Sequence, residues 1–124
     1  MGENIRILLV DDHSVAREGL ACLLRQEDNL DIIGEASDGK MAVELAKELQ
    51  PDVIIMDASM PGMNGIEATR LIMLDFPEIK VIGFSMHSDG EVGAAMQKAG
   101  AVACISKSQP AEVLISKIRD CQLA

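Results

Sequence analysis

The chain has 124 residues, 48% of them hydrophobic, and 20 Asp and Glu against 11 Lys and Arg give it a formal charge of −9. That apolar fraction excludes a disordered chain, and the length suits one domain able to bury roughly two-thirds of its unfolded surface. The negative charge argues against the domain itself gripping a phosphate backbone, where Lys and Arg must displace counterions.

No apolar run approaches a membrane span, and Met1-Gly2-Glu3-Asn4 lacks a signal-peptide pattern, so the expected compartment is cytoplasmic with no membrane partner. Cys22, Cys104 and Cys121 are odd in number and scattered, which suggests neither a disulfide framework nor a zinc site.

Strand-like and helix-like periods alternate along the chain. Ile5–Val10 opens it as a nearly continuous apolar run, of the kind buried on both faces of a sheet. Ala16, Leu20, Leu23 and Leu24 then repeat at helical spacing, and Asp31–Ala36 reads as a second strand. Ala42, Leu45, Ala46 and Leu49 mark a second helix before the apolar strand Val53–Asp57. Asn64, with Glu67 three residues later, starts a helix over Ile66–Leu74. Lys80–Ser85 is a fourth strand, Val92, Ala95, Met96 and Ala99 a fourth helical face, and Ala103–Ser106 a fifth strand. Ser108 or Gln109 before Pro110 opens a last helix. Asn29, Asp38-Gly39, Gln50-Pro51, Pro77 and Gly100 punctuate the joins. This (βα)5 pattern predicts an α/β fold, a five-stranded parallel sheet of flavodoxin-like order 2-1-3-4-5 with helices on both faces.

In that order the ends of the first and third strands meet at the switch point, where open α/β sheets bind ligands. Asp11 and Asp12 follow the first strand, Asp57 closes the third, Ser85 the fourth, and Lys107 follows the fifth. Two carboxylates ~5 Å apart at an effective dielectric of ~20 repel by roughly 3 kcal/mol, and one lysine cannot neutralise three. A hard divalent cation can. Mg²⁺ fits best, since it takes one or two carboxylates, keeps waters and completes its octahedron with a phosphoryl oxygen. With an ammonium and a hydroxyl beside it, the set describes an aspartyl-phosphate site.

Leu8-Leu9-Val10-Asp11-Asp12, Asp38-Gly39, Met56-Asp57 through Met60-Pro61-Gly62-Met63-Asn64-Gly65, Phe84-Ser85 and Ala99-Gly100-Ala101 leading to Lys107 together resemble the response-regulator receiver domains of two-component signalling. The resemblance covers the whole chain. It implies that Asp57 is the phosphoacceptor, that Asp11 and Asp12 hold Mg²⁺ with Asp57 and the Ser59 backbone carbonyl, and that Ser85 and Lys107 contact the phosphoryl oxygens. A sensor histidine kinase is the implied partner, with a homodimer also open. The wording is most similar to receivers ahead of a LuxR-type helix-turn-helix domain. Residues 1–124 are therefore expected to be a receiver with no output domain in this chain, DNA being reached only through such a domain.

Other readings of the same residues are open. Asp11-Asp12 could cap the helix near Ser14, and Ser85 and Lys107 could be a turn residue and a solvated cation. An aspartate-nucleophile phosphatase is an alternative, but that family carries a second acid two residues after its nucleophile, where this chain has Ser59. A receiver-like binding module that never carries phosphate is another, and such modules usually lack part of the acid–Ser–Lys set. His13 and His87 are lone histidines, set aside as the main centre, although His87 with Ser59 is expected to flank the path of a hydrolytic water. Three positions depart from the common receiver pattern. Met86 stands where a small Ala is usual and is expected to narrow access to Asp57, Ser108 stands in place of Pro, and Cys104 in place of Tyr or Phe at a site expected to face the surface.

Overall fold

Strand and helix alternate five times in the computed structural model, which describes residues 4–60, 62–86 and 90–122. The elements are β1 Ile5–Val10, α1 Ser14–Arg25, β2 Leu30–Ala36, α2 Gly39–Leu49, β3 Val53–Met56, α3 Gly65–Asp75, β4 Lys80–Ser85, α4 Gly90–Ala99, β5 Ala103–Ser106 and α5 Ala111–Asp120. All strand pairs are parallel and the order is β2-β1-β3-β4-β5, as the alternation predicts.

The two-residue period of the central strands sorts the core into two layers. Ile7 and Leu9 of β1 and Val53 and Ile55 of β3 pack with Ala21 and Leu24 of α1 and Leu114 and Ile118 of α5. Leu8 and Val10 with Ile54 and Met56 face the other way, onto Ala42 and Ala46 of α2, Ala68 and Ile72 of α3, and Met96 of α4. Every one of these residues is buried, so Ile7–Val10 of β1 and Val53–Met56 of β3 read as unbroken apolar runs because both of their faces are covered.

Some local expectations are corrected. The inward line of α1 is Ala21 and Leu24, whereas Ala16 and Leu23 are exposed and Leu20 is only half-buried. The helix is turned so that Arg17 stands one turn before Ala21 on the sheet side. The last helix takes Pro110, not Ser108 or Gln109, as its N-cap, and with no acceptor on its side chain it makes no cap bond; Ser108 Oγ is engaged with Ser106 Oγ at 2.7 Å. β2 starts at Leu30, and β3 ends at Met56, which leaves Asp57 just beyond the strand. Asn64 does cap α3, its Oδ1 accepting from the Glu67 amide at 3.0 Å, and Asp38 caps α2 through the Met41 amide.

Register in β2 is broken once. Ile7 pairs with Ile32 but Leu8 pairs with Gly34, so Ile33 is an extra residue and everything after it changes face. Glu35 thereby stands opposite Leu9, on the α1 side of the sheet.

Helix α3 approaches the chain after β3 closely. The Gly65 amide donates to Ala58 O at 3.1 Å, and a Cβ at Gly65 would lie 1.9 Å from Asp57 O and 2.9 Å from Ala58 Cα. Both neighbours are backbone and cannot swing away. Gly65→Ala should therefore lower the urea midpoint by an amount equivalent to about 2–3 kcal/mol; an unchanged midpoint would show that this approach is loose.

Candidate functional site

Each strand of the central pair is followed directly by a carboxylate. Val10 pairs with Met56, the Asp57 amide donates to Val10 O at 3.0 Å, and Asp11 and Asp57 therefore emerge side by side. Ser85 pairs with Ser106, and the Lys107 amide donates to Ser85 O at 2.9 Å, so the lysine leaves β5 beside the hydroxyl residue. Asp11, Asp57 and Ser85 are buried, at 8%, 4% and 1% exposure.

Lys107 Nζ lies 2.6 Å from Asp11 Oδ2 and 3.4 Å from Asp57 Oδ2. The remaining oxygens turn toward main chain: Asp11 Oδ1 accepts from the His13 amide at 2.9 Å and Asp57 Oδ1 from the Ser59 amide at 3.1 Å. Asp12 Oδ1 is buried and makes no hydrogen bond, although the His13 Nδ1 lies 3.2 Å away. A buried carboxylate oxygen without a hydrogen bond is costly unless something else meets it. One ligand atom from each of Asp11, Asp12, His13 and Asp57 falls within 4.8 Å of the others, a spacing that fits a small hard cation.

The helix-capping reading of Asp11 and Asp12 is not what forms. His13 is the N-cap of α1 and makes no side-chain cap bond, while the carboxylates point into the cluster. His13 itself lies on the rim with its side chain 73% exposed, closer to the acids than a lone-histidine reading anticipates. Its one sequence signal is adjacency to Asp12. His87 lies outside the described residues.

The site residues titrate in opposite directions. Burial pushes the Asp57 carboxyl above its ordinary value, reinforced by the charge of Asp11, and the Ser59 amide and Lys107 offset this only in part. Burial pushes Asp11 the same way, but the Lys107 and His13 hydrogen bonds outweigh it and hold Asp11 below the usual range. Burial works against the Lys107 charge, yet the bond to Asp11 and the charges of Asp57 and Asp11 leave its ammonium held above the ordinary lysine value.

Of the unusual positions, Cys104 is placed differently from expectation. Cys104 is half-buried rather than a surface residue: a methyl at Gly83 would meet its Sγ at 2.9 Å and Met96 Cε at 3.2 Å, so the thiol lies across the bare Gly83 backbone under α4. Burial raises its pKa, which keeps the thiol protonated. Met86 is 68% exposed and lines a groove of about 400 Å³ running from Asp11 and Lys107 past Phe84 to Leu20 and Leu23.

Residues 7–119 match the family model of the response regulator receiver domain. The chain belongs to that family. This receiver is 43% identical over 115 residues to the transcriptional regulatory protein LiaR of Bacillus subtilis, covering 93% of this chain and 54% of the relative. Among solved structures it is similar to the response regulator domain of Thermotoga maritima CheB, with TM-score 0.93, 36% identity and 98% of each chain covered. It is also similar to a LuxR-family two-component response regulator from Aurantimonas sp. SI85-9A1, with TM-score 0.92, 34% identity, and 96% of this chain and 85% of that one covered. The receiver spans about half the length of the curated relatives it matches. No helix among its described residues is long and apolar enough to cross a membrane.

Among the described residues Lys107 is the one ammonium bonded to both buried acids, so its loss changes how stability follows pH. In Lys107→Met, Asp11 and Asp57 would both have raised pKa values, and the folded state would hold more protons than the unfolded one above pH ~4. The fold should weaken by roughly 3 kcal/mol at pH 7 and recover as pH falls toward 5, measured by urea unfolding without divalent cations. In the parent, the lowered Asp11 loses stability on acidification while the raised Asp57 gains it, so the two oppose. Parallel pH profiles for parent and variant would contradict the assignment.

Proposed function

We propose that this receiver is a phosphorylation-activated switch of a two-component system, in the cytoplasm, in which Asp57 takes a phosphoryl group from a phosphohistidine of a sensor histidine kinase. The observation that carries this is one cluster: two buried carboxylates sharing Lys107, and beside them Asp12 with an oxygen that no hydrogen bond meets. Asp11, Asp12, Asp57 and the Ser59 carbonyl would hold Mg²⁺. When bound, Mg²⁺ offsets the crowded negative charge and stabilises the charge on a transferring phosphoryl group.

The remaining steps belong to the protein's own side chains. An Asp57 oxygen forms the new P–O bond as the P–N bond to the donor histidine breaks, the leaving nitrogen keeping the electron pair. Lys107, at 3.4 Å from Asp57, shifts from Asp11 toward the incoming phosphoryl oxygens, and the buried Ser85 hydroxyl, beside it at the end of β4, donates to another. The groove beside Asp11 and Lys107, lined by Leu20, Leu23 and Met86, leaves an apolar surface next to the acceptor for the donor protein. The added charge then biases the surface of α4, β5 and α5. With no ring at position 104, the change passes through β4 and α4, where Cys104, Gly83 and Met96 are in contact. The output is transcription, reached through a DNA-binding domain, since a domain of charge −9 is ill suited to bind DNA itself.

Treatment with acetyl phosphate followed by peptide mass spectrometry tests the reading. The expected result is one phosphoryl group per chain, on Asp57, only when Mg²⁺ is present. Label on His13 or His87, or equal labelling in a chelator, would sink it. Many-turnover hydrolysis of assorted phosphate esters would support the phosphatase alternative.

A further inference from the structure

Asp11 is held by its main chain as well as by its carboxylate. Its amide donates to Ala36 O at 3.0 Å, at the end of β2, and its carbonyl accepts from Arg17 Nη1 at 2.5 Å. The carbonyl belongs to the same rigid peptide plane as the Asp12 amide, so whatever fixes it orients the chain entering both acids. Arg17 is itself held: its Nε donates to Glu35 Oε1 at 2.9 Å, and its side chain is 17% exposed. Arg25 reaches the other Glu35 oxygen only at 3.7 Å from a largely exposed position, a contact of little weight.

Glu35 is available for this because of the extra residue in β2. Had pairing continued without the bulge at Ile33, Glu35 would have stood opposite Val10 and faced α2 and α3. The bulge, the rotation of α1 that turns Arg17 toward the sheet, and the Arg17–Glu35 pair form one device ending on the Asp11 carbonyl. None of these groups belongs to the carboxylate cluster.

We propose that Arg17, oriented by Glu35, is a positioning residue for the cation site, fixing the Asp11–Asp12 main chain so that both carboxylates converge with Asp57. This rests on the reading of the cluster as a Mg²⁺ site. The guanidinium is suited to it because its planar fork meets two acceptors at once, one on Glu35 and one on Asp11, which a single ammonium cannot do in that geometry.

Mg²⁺ binding to the 124-residue chain, measured by calorimetry or amide-shift titration alongside urea unfolding, separates positioning from simple charge, because the two roles have opposite signs. Arg17 is a cation near the site, so if charge alone mattered, Arg17→Gln would bind Mg²⁺ more tightly and Arg17→Lys would match the parent. Positioning predicts about tenfold weaker binding in both, as is typical for groups that orient metal-binding carboxylates. Glu35→Gln keeps an oxygen for Arg17 Nε and should stay near the parent, whereas loss of an anion would weaken binding if charge governed. Should Arg17→Gln unfold, Glu35→Ala, which removes the brace and leaves the guanidinium, should show the weakening. Tighter binding in Arg17→Gln, or parent-like binding in Arg17→Lys and Glu35→Ala, overturns the proposal. A parent chain that binds no Mg²⁺ overturns the cation-site reading first, and the positioning role with it.

Discussion

Crowding of like charge at the carboxyl ends of β1 and β3 is the constraint on which the rest depends. Parallel pairing of Val10 with Met56 forces the residues that follow, Asp11 and Asp57, into one buried crevice, where two carboxylates repel by roughly 3 kcal/mol. Lys107 relieves part of this, but unevenly, at 2.6 Å from one acid and 3.4 Å from the other. The unequal sharing leaves Asp57 the less compensated acid, with its carboxyl pushed up while that of Asp11 is held down. The negative charge left uncompensated at Asp57 is what the proposed metal and phosphoryl chemistry would act on.

The surrounding fold is arranged around that crevice. Gly65 lets α3 seat against the Asp57 backbone, the Ser59 amide returns to Asp57, and the Ser85 carbonyl takes the Lys107 amide. On the far side Arg17 of α1 donates to the Asp11 carbonyl and is itself held by Glu35 of β2. Arg17, Glu35 and Ser85 stand on elements packed into the two apolar layers, and Asp11, Asp57 and Lys107 directly follow strands of the sheet, which is how a small domain keeps several charged side chains in register.

Much of this was legible in the sequence because it depends on strand ends. Runs such as Ile7-Leu8-Leu9-Val10 and Val53-Ile54-Ile55-Met56 locate buried strands, parallel order places their ends together, and the polar residues found there name the site. The orientation of α1 was less legible, since Leu20, Leu23 and Leu24 offer more than one apolar stripe and the choice falls to Ala21, a small residue that fits closely over the sheet. The β2 bulge left only a faint trace, the Ile32-Ile33 doublet before Gly34, which breaks alternation. Cys104 was misjudged because its inward placement depends on a missing side chain across the ladder, at Gly83, and no local pattern at position 104 carries that. The receiver resemblance was legible for the same reason: its motifs sit at strand ends, and their order along the chain follows the order of the strands.

The most direct measurement of the central claim is a two-step amide-shift titration of the ¹⁵N-labelled chain, first with Mg²⁺ and then with fluoroberyllate as a phosphoryl mimic. Mg²⁺ is expected to move the amides of Asp11, Asp12, Asp57 and Ser59, and the mimic, only once Mg²⁺ is present, to move Ser85, Lys107 and then residues of α4 around Met96. Binding of the mimic without Mg²⁺, or shifts that stop at the crevice and leave α4 unchanged, would contradict it.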